Sequence, residues 1–298
     1  MNDSPSLSGG FTVVGGVRET LGESVREIWR FRPLIAELVR RDLKVRYKNR
    51  VGGVLWSLFS PLMQVLTITL MVKFFLTPVK DYSAYLMPVM FLWQFFQNIV
   101  LDASQSMIMN AALARKIYFP RAILPIVTLI SNVMHFGVAL GFTLLYFFVV
   151  PVSKPIYPQN LQLKVLWMLP VVAGVAILAL GIGYLLAYLN TLYEDIRFLT
   201  NTLLGLFFYA MPILYPIERV AARPDIFPFY LLNPMATWVA AFQRSLLNPL
   251  KVEGATTPPV AFEQLLPFIG IAALSSLAIL TFGFWIFERS KWTMMERL

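Results

Sequence analysis

The sequence predicts an all-α integral membrane protein: six transmembrane helices, an N-terminal amphipathic interface helix, and short re-entrant outer helices between spans five and six. Three observations predict it. Of 298 residues, 58% are hydrophobic and only 14% charged, against roughly a quarter charged in an average soluble domain. The apolar residues gather into runs long enough, at ~1.5 Å per residue, to cross a hydrocarbon core of about 30 Å. The stretch Arg40 to Pro61, RRDLKVRYKNRVGGVLWSLFSP, passes from a dense basic segment straight into the first such run. Lys and Arg collect on the cytoplasmic side of membranes, so this junction orients the first span.

Residues 1–32 read as a flexible cytoplasmic tail. GGFTVVGG (Gly9 to Gly16) is linker-like, the first thirty residues hold no apolar core of signal-peptide length, and no cleaved signal is expected. Arg18 to Arg30 are expected to add a short helix. Residues 33–50 form the interface helix, with Pro33 in its first turn. On a helical wheel Glu37, Arg40, Arg41, Lys44 and Lys48 share one face. Phe31, Leu34, Ile35, Leu38, Val39, Leu43 and Tyr47 cover most of the other, a pattern suited to the membrane surface. Asp42 and Arg46 fall inside the apolar arc, four residues apart, and are expected to pair with each other.

Residues 51–290 hold the six spans, at about 51–76, 84–107, 122–150, 165–190, 198–217 and 264–287. The outer re-entrant segment is 218–250, and 291–298 is a cytoplasmic C-terminus. An even number of spans with a cytoplasmic start puts both termini inside. The charges agree: seventeen Lys and Arg fall on the inner side and eight on the outer. In the outer segment, Phe227 to Tyr230 and Trp238 to Phe242 are apolar pieces interrupted by proline. They read as short helices resting in the outer interface or dipping into it. No internal repeat is visible, which counts against folds built from paired halves.

The inventory for catalysis is thin. One histidine and no cysteine leave no HExxH site, no Cys-ligated zinc and no disulfide. No Gly-Lys dipeptide occurs, so a Walker A phosphate loop is impossible. Of the sixteen acidic residues only Asp102 lies inside a span, and one carboxylate cannot flank a substrate as acid and base. The chain reads as a transport subunit that is not itself an enzyme. A net charge of +9 raises nucleic acid as a partner, but Lys and Arg flank apolar runs instead of lining a groove with interleaved aromatics. The anionic partner is then membrane lipid and no nucleic acid.

Asp102 reads as a helix-end carboxylate reaching water or an arginine such as Arg115. His135 is expected to hydrogen-bond a neighbouring helix, with a substrate or proton-relay role as the alternative. Gly137-x-x-x-Gly141 permits close helix approach. On the inner side, Asn110 to Arg121 (NAALARKIYFPR) is basic, with Arg115 and Lys116 leading to an apolar tip, Ile117-Tyr118-Phe119, stopped by Pro120. Such a tip suits a protein groove; a hairpin lying on the membrane is the alternative. Glu194, Asp195 and Arg197 form a second inner turn, either a docking point or simply solvated. Phe91, Trp93 and Phe96 in span two, Tyr146 in span three, and Phe208, Tyr209 and Tyr215 in span five are candidate channel aromatics. Their faces suit sugar C–H faces, and an interfacial belt is the alternative for each.

Four blocks carry a resemblance: RDLKVRYKNRVGGVLWSLFSPL (Arg41 to Leu62), RKIYFPRAILP (Arg115 to Pro125), YEDIRFLTNTLLGLFFYAMPILYP (Tyr193 to Pro216) and LNPMATWVAAFQRSLL (Leu232 to Leu247). Together, in this order, the chain resembles the membrane-spanning permeases of ABC exporters for O-antigen, capsule and teichoic-acid polymers, over about residues 33 to 290. Gly52-Gly53 stands where that family often has Leu-Gly. The resemblance implies a permease homodimer with two copies of a separate nucleotide-binding ATPase. It implies ATP and Mg in that partner, no cofactor in this chain, a lipid-linked polysaccharide substrate, and the bacterial plasma (inner) membrane. It makes residues 33–50, with Arg40, Arg41, Asp42, Lys44 and Arg46, the interface helix. Arg115 to Phe119 becomes part of the coupling helix that enters the ATPase, with Glu194, Asp195 and Arg197 on the same inner face. The outer helices help gate the exit. Three rivals stand beside it. They are an ABC permease for a small drug or lipid, a secondary transporter coupled through Asp102 and His135, and a membrane glycosyltransferase or phosphatase, which would need an acidic or histidine cluster at one interface.

Overall fold

The computed structural model describes residues 21–47, 54–75, 82–149, 165–248 and 260–297. Lys48, Gly52-Gly53 and the Gly-rich tail lie outside them. Among the described residues every regular element is helical. In chain order these are α1 (Leu21–Arg30), α2 (Arg32–Tyr47), α3 (Val54–Phe75), α4 (Tyr82–Met109), α5 (Ala111–Lys116), α6 (Ile123–Val149), α7 (Met168–Leu192, entered by a 3-10 turn Val165–Trp167), α8 (Ile196–Ala210), α9 (Ile217–Ala221), α10 (Phe227–Leu231), α11 (Pro234–Leu246), α12 (Phe262–Arg289) and α13 (Lys291–Arg297).

Among the described residues four helices are long and apolar enough to cross a membrane: α4, α6, the continuous segment 165–192 and α12. Their bounds lie within two residues of the expected spans. Two apolar stretches are shorter, Leu58–Phe74 of α3 and Ile196–Ala210 of α8. The expected fifth span, 198–217, is therefore a 15-residue helix followed by a non-helical stretch. Pro212 and Pro216 explain the break, because each lacks an N–H and disfavours helix in the residue before it.

Bare carbonyls at that depth need donors, and side chains supply them. Gln243 Nε2 donates to the Pro212 carbonyl at 3.0 Å, Tyr82 to Leu214 at 2.7 Å and Tyr85 to Tyr215 at 3.0 Å. The hydroxyls of Tyr215 and Tyr230 both donate to the Ala210 carbonyl at 2.9 Å.

The bundle is built around α4. Of its apolar stretch 78% is buried within the protein, against 22% for α12, so α4 is the core helix and α12 an outer one. Helix α7 packs on both. The crossing of α7 and α12 depends on two glycines: a Cβ on Gly283 would fall 2.3 Å from the Gly181 carbonyl oxygen, so the two backbones touch. By contrast a Cβ on Gly137 or Gly141 would meet nothing within 4 Å, so no element of the described chain uses that small-residue pair.

The outer segment, expected as short helices resting in the outer interface or dipping into it, contains one helix, α11, that the bundle encloses. Every residue from Met235 to Leu246 is buried, enclosed by α4, α7 and α12. Asn233 caps it, accepting from the Met235 and Ala236 N–H groups. Its Trp238 ring lies against Gly174, where a Cβ would clash, and its indole N–H donates to Ser276 Oγ at 3.1 Å. Arg244 forms an ion pair with Glu218 of α9, both side chains almost completely buried. Arg244 Nε also donates to the Val260 carbonyl at 2.9 Å.

One end of the bundle gathers α2, α5, α13 and the start of α6. Arg41 Nη2 donates to Asn110 Oδ1 at 2.7 Å, and Arg121 Nη1 donates to the Lys291 carbonyl at 3.0 Å. The elements expected on the inner side thus share one end.

Candidate functional site

Three places in the structure hold the expected functional residues. The first is a cavity of about 640 Å³ between α3, α4 and α8, within the size range of ligand sites. Its wall takes Gln64 and Ile68 from α3, Trp93, Gln94, Gln97 and Asn98 from α4, and Thr202, Gly205, Leu206, Phe208 and Tyr209 from α8. A second depression of about 490 Å³ continues along α3 past Phe59, Ser60, Met63 and Thr67 and shares Gln64 and Ile68. Trp93 touches Phe96 and Phe208 (ring centroids 5.5 and 5.9 Å), and Phe208 meets Tyr209 edge to face at 5.3 Å.

Of the seven candidate aromatics, Trp93, Phe208 and Tyr209 line this cavity. The other four do not. Phe91 and Phe96 are buried in the core, because they fall outside the arc of α4 that carries positions 93, 94, 97 and 98. Tyr146 bonds Ser83 Oγ at 2.9 Å, and Tyr215 is engaged with Ala210 and with Tyr230 at 3.1 Å. Both serve as structural ties. The sequence reading missed the amides Gln64, Gln94, Gln97 and Asn98. Their signal was available: three amides at i, i+3 and i+4 on an otherwise apolar span mark one polar face.

The second place joins α2 to the spans. Arg46 Nη2 donates to Asp102 Oδ2 at 2.7 Å and Nη1 to Asn132 Oδ1 at 3.0 Å. Asn132 Nδ2 also donates to Asp102 Oδ2, at 2.8 Å. One helical turn on, the Tyr47 hydroxyl and His135 Nδ1 lie 2.9 Å apart. His135 therefore bonds a neighbouring helix, as expected. Two expected pairings are corrected. Asp42 pairs with Arg41 at 3.0 Å, not with Arg46, and the arginine on Asp102 is Arg46, not Arg115. Between the spans the Arg46 guanidinium reaches two acceptors at once, Asp102 and Asn132, while Asp42 stays with its sequence neighbour Arg41. On the outer face of α2, Glu37, Arg40, Arg41 and Lys44 are exposed while Leu38 and Val39 are buried. Burial raises the Tyr47 hydroxyl above the usual phenol range, with Arg46 beside it opposing the shift.

The third place is the inner tip. Arg115, Lys116, Ile117 and Tyr118 are exposed, Tyr118 at 79%. Phe119 is not part of the exposed tip: it is 5% exposed and packs with Leu38, Val39, Ile123, Tyr184 and Phe287. Pro120 turns the chain, so Phe119 points back into the bundle while Ile117 and Tyr118 point out. Glu194, Asp195 and Arg197 are exposed at the start of α8, flanked by exposed Tyr193 and Phe198. Arg121 is half-buried, and desolvation pulls its guanidinium below its ordinary range. Among the described residues no group of three or more His, Asp or Glu side chains could hold a metal.

The family model described as ABC-2 type transporter matches residues 33–247. The chain belongs to the ABC-2 type transporter family. It is similar to an O-antigen export system permease protein RfbA of Klebsiella pneumoniae, 26% identical, with the match covering 89% of this chain and 95% of the relative. It is likewise similar to an O-antigen export system permease protein RfbA of Myxococcus xanthus, 26% identical over 74% of this chain and 82% of that one. As an ABC-2 type transporter, the chain is a multi-pass membrane transport subunit and not an enzyme, and the family implies an ABC ATPase partner. In this ABC-2 chain the matched region runs from α2 through α11 and takes in the cavity, the tip and the latch between Arg46 and Asp102.

Proposed function

We propose that this chain is the permease subunit of an ATP-driven exporter that moves a lipid-linked, O-antigen-like polysaccharide across the bacterial plasma membrane, with both termini in the cytoplasm. The cavity between α3, α4 and α8 carries the reading. It combines aromatic faces with uncharged amides at mid-helix depth, a surface suited to a sliding sugar chain and poorly suited to an ion or a compact apolar drug. The names of the relatives support a polysaccharide substrate.

The fold supports a homodimer with six spans per protomer, α3 and α8 with its broken extension counting as two of them. Helix α8 buries only Thr200 and Leu204, so most of its apolar surface awaits cover, and a second copy would close the open side of the cavity into a channel. Two ATPase copies, holding ATP and Mg, dock on the inner end. Arg115, Lys116, Ile117 and Tyr118 form one contact and Glu194, Asp195 and Arg197 the other. Helix α2 lies at the inner interface, and α9 to α11 form a re-entrant segment at the exit.

The test is twofold. Tagged protein in mild detergent should co-purify with a Walker-motif ATPase at equal stoichiometry, and deletion of the gene should empty the cell surface of the polymer while its lipid-linked precursor accumulates inside. A deletion strain with normal surface glycan would overturn the export reading.

A further inference from the structure

The stretch of α4 from Phe91 to Val100 is buried except at three positions: Gln94, Gln97 and Asn98. All three are amides, and all three line the same cavity, with Gln64 of α3 opposite. Gln94, Gln97 and Asn98 lie at the middle of the 28-residue α4, and Gln64 at the middle of the 22-residue α3. Among the described residues none of the four side-chain amides has a hydrogen-bond partner in the protein. That contrasts with Asn132, Asn190 and Gln243, whose side-chain amides donate to protein oxygens. Unpaired amides at membrane depth are unfavourable unless something polar meets them. Among the described residues no charged side chain lines the cavity, so recognition through charge is not what these amides serve.

We infer that Gln64, Gln94, Gln97 and Asn98 form a hydroxyl-reading rung of the translocation path, binding an uncharged, hydroxyl-rich glycan segment. A side-chain amide both donates and accepts, as does a sugar hydroxyl, so each can pair with a hydroxyl in either orientation and release it to the next ring. Trp93, Phe208 and Tyr209 cover the apolar ring faces while the amides take the edges. The inference rests on the polysaccharide reading and adds the residues that contact the substrate and the charge class they accept.

The test uses the full exporter in its native host with the chromosomal copy deleted. Surface polymer is measured for wild type, Gln94→Leu/Gln97→Leu, and the amide-preserving Gln97→Asn/Asn98→Gln. The leucine pair should cut export about tenfold or more. Membrane level and ATPase co-purification should stay at wild type, since leucine is no worse than an unpaired amide for folding in lipid. The amide-preserving pair should keep most of the export. Wild-type export by the leucine pair would overturn the inference, the amides then serving only to hydrate the cavity. A loss shared equally by the amide-preserving pair would also overturn it, as a shape effect. Both outcomes differ from failure of the export reading itself, in which the deletion strain keeps its surface polymer.

Discussion

Arg46 of α2 and Asp102 of α4 lie fifty-six positions apart in sequence and meet at 2.7 Å, with Asn132 of α6 bonded to both. This three-helix contact fixes the end of the basic helix against the spans. Arg46→Ala, Asp102→Asn and the double variant should give a coupling energy of about 1–2 kcal/mol, read from thermal unfolding in detergent. Strict additivity of the single effects would show that the contact stabilises nothing.

Tyr118 and Phe119 are sequence neighbours with opposite environments, 79% and 5% exposed. Tyr118→Asp should leave membrane levels unchanged and reduce ATPase co-purification several-fold. Phe119→Ala should act through folding, at about 3–5 kcal/mol, and lower the yield of intact protein. Equal yields for the two variants would contradict the inward placement of Phe119.

Gly181 and Gly283 allow two backbones to touch. Gly283→Ala should force α7 and α12 apart and lower the melting temperature by several degrees, because the intruding Cβ meets a carbonyl and not a side chain that could turn aside. Gly141→Ala serves as control and should leave it unchanged. A neutral Gly283→Ala would mean that the two helices sit further apart than described.

Arg244 and Glu218 form the buried ion pair of the outer segment. Arg244→Met alone should destabilise by about 3–5 kcal/mol, since it leaves a carboxylate buried without its partner, and Glu218→Leu/Arg244→Met should recover most of that loss. Chemical denaturation in mixed micelles reports both. A double variant as unstable as the single would assign the loss to the bond from Arg244 to the Val260 carbonyl.

The long spans were legible because length and lack of charge suffice to find them; α4, α6, α7 and α12 follow their apolar runs closely. What was not legible has a common cause. Phe119, Phe91 and Asp102 each belong to patterns whose composition is plain but whose direction depends on tertiary packing. Apolar type alone cannot say whether Phe119 faces a partner or its own core. The i, i+4 spacing of Asp42 and Arg46 is correct helical geometry, yet a carboxylate from another helix out-competes it. Helix α11 was read as resting in the outer interface or dipping into it, because proline interrupts the apolar pieces there, and that pattern does not reveal that three neighbours enclose it. The amides of α4 were legible in principle, from their spacing alone.

Around the non-helical stretch after Ala210, the carbonyls of Ala210, Pro212, Leu214 and Tyr215 are held by phenols and one amide. Carbonyls held in this way do not depend on water for a donor. A helix can thus be interrupted inside an apolar bundle while its freed backbone stays tied to the neighbouring elements.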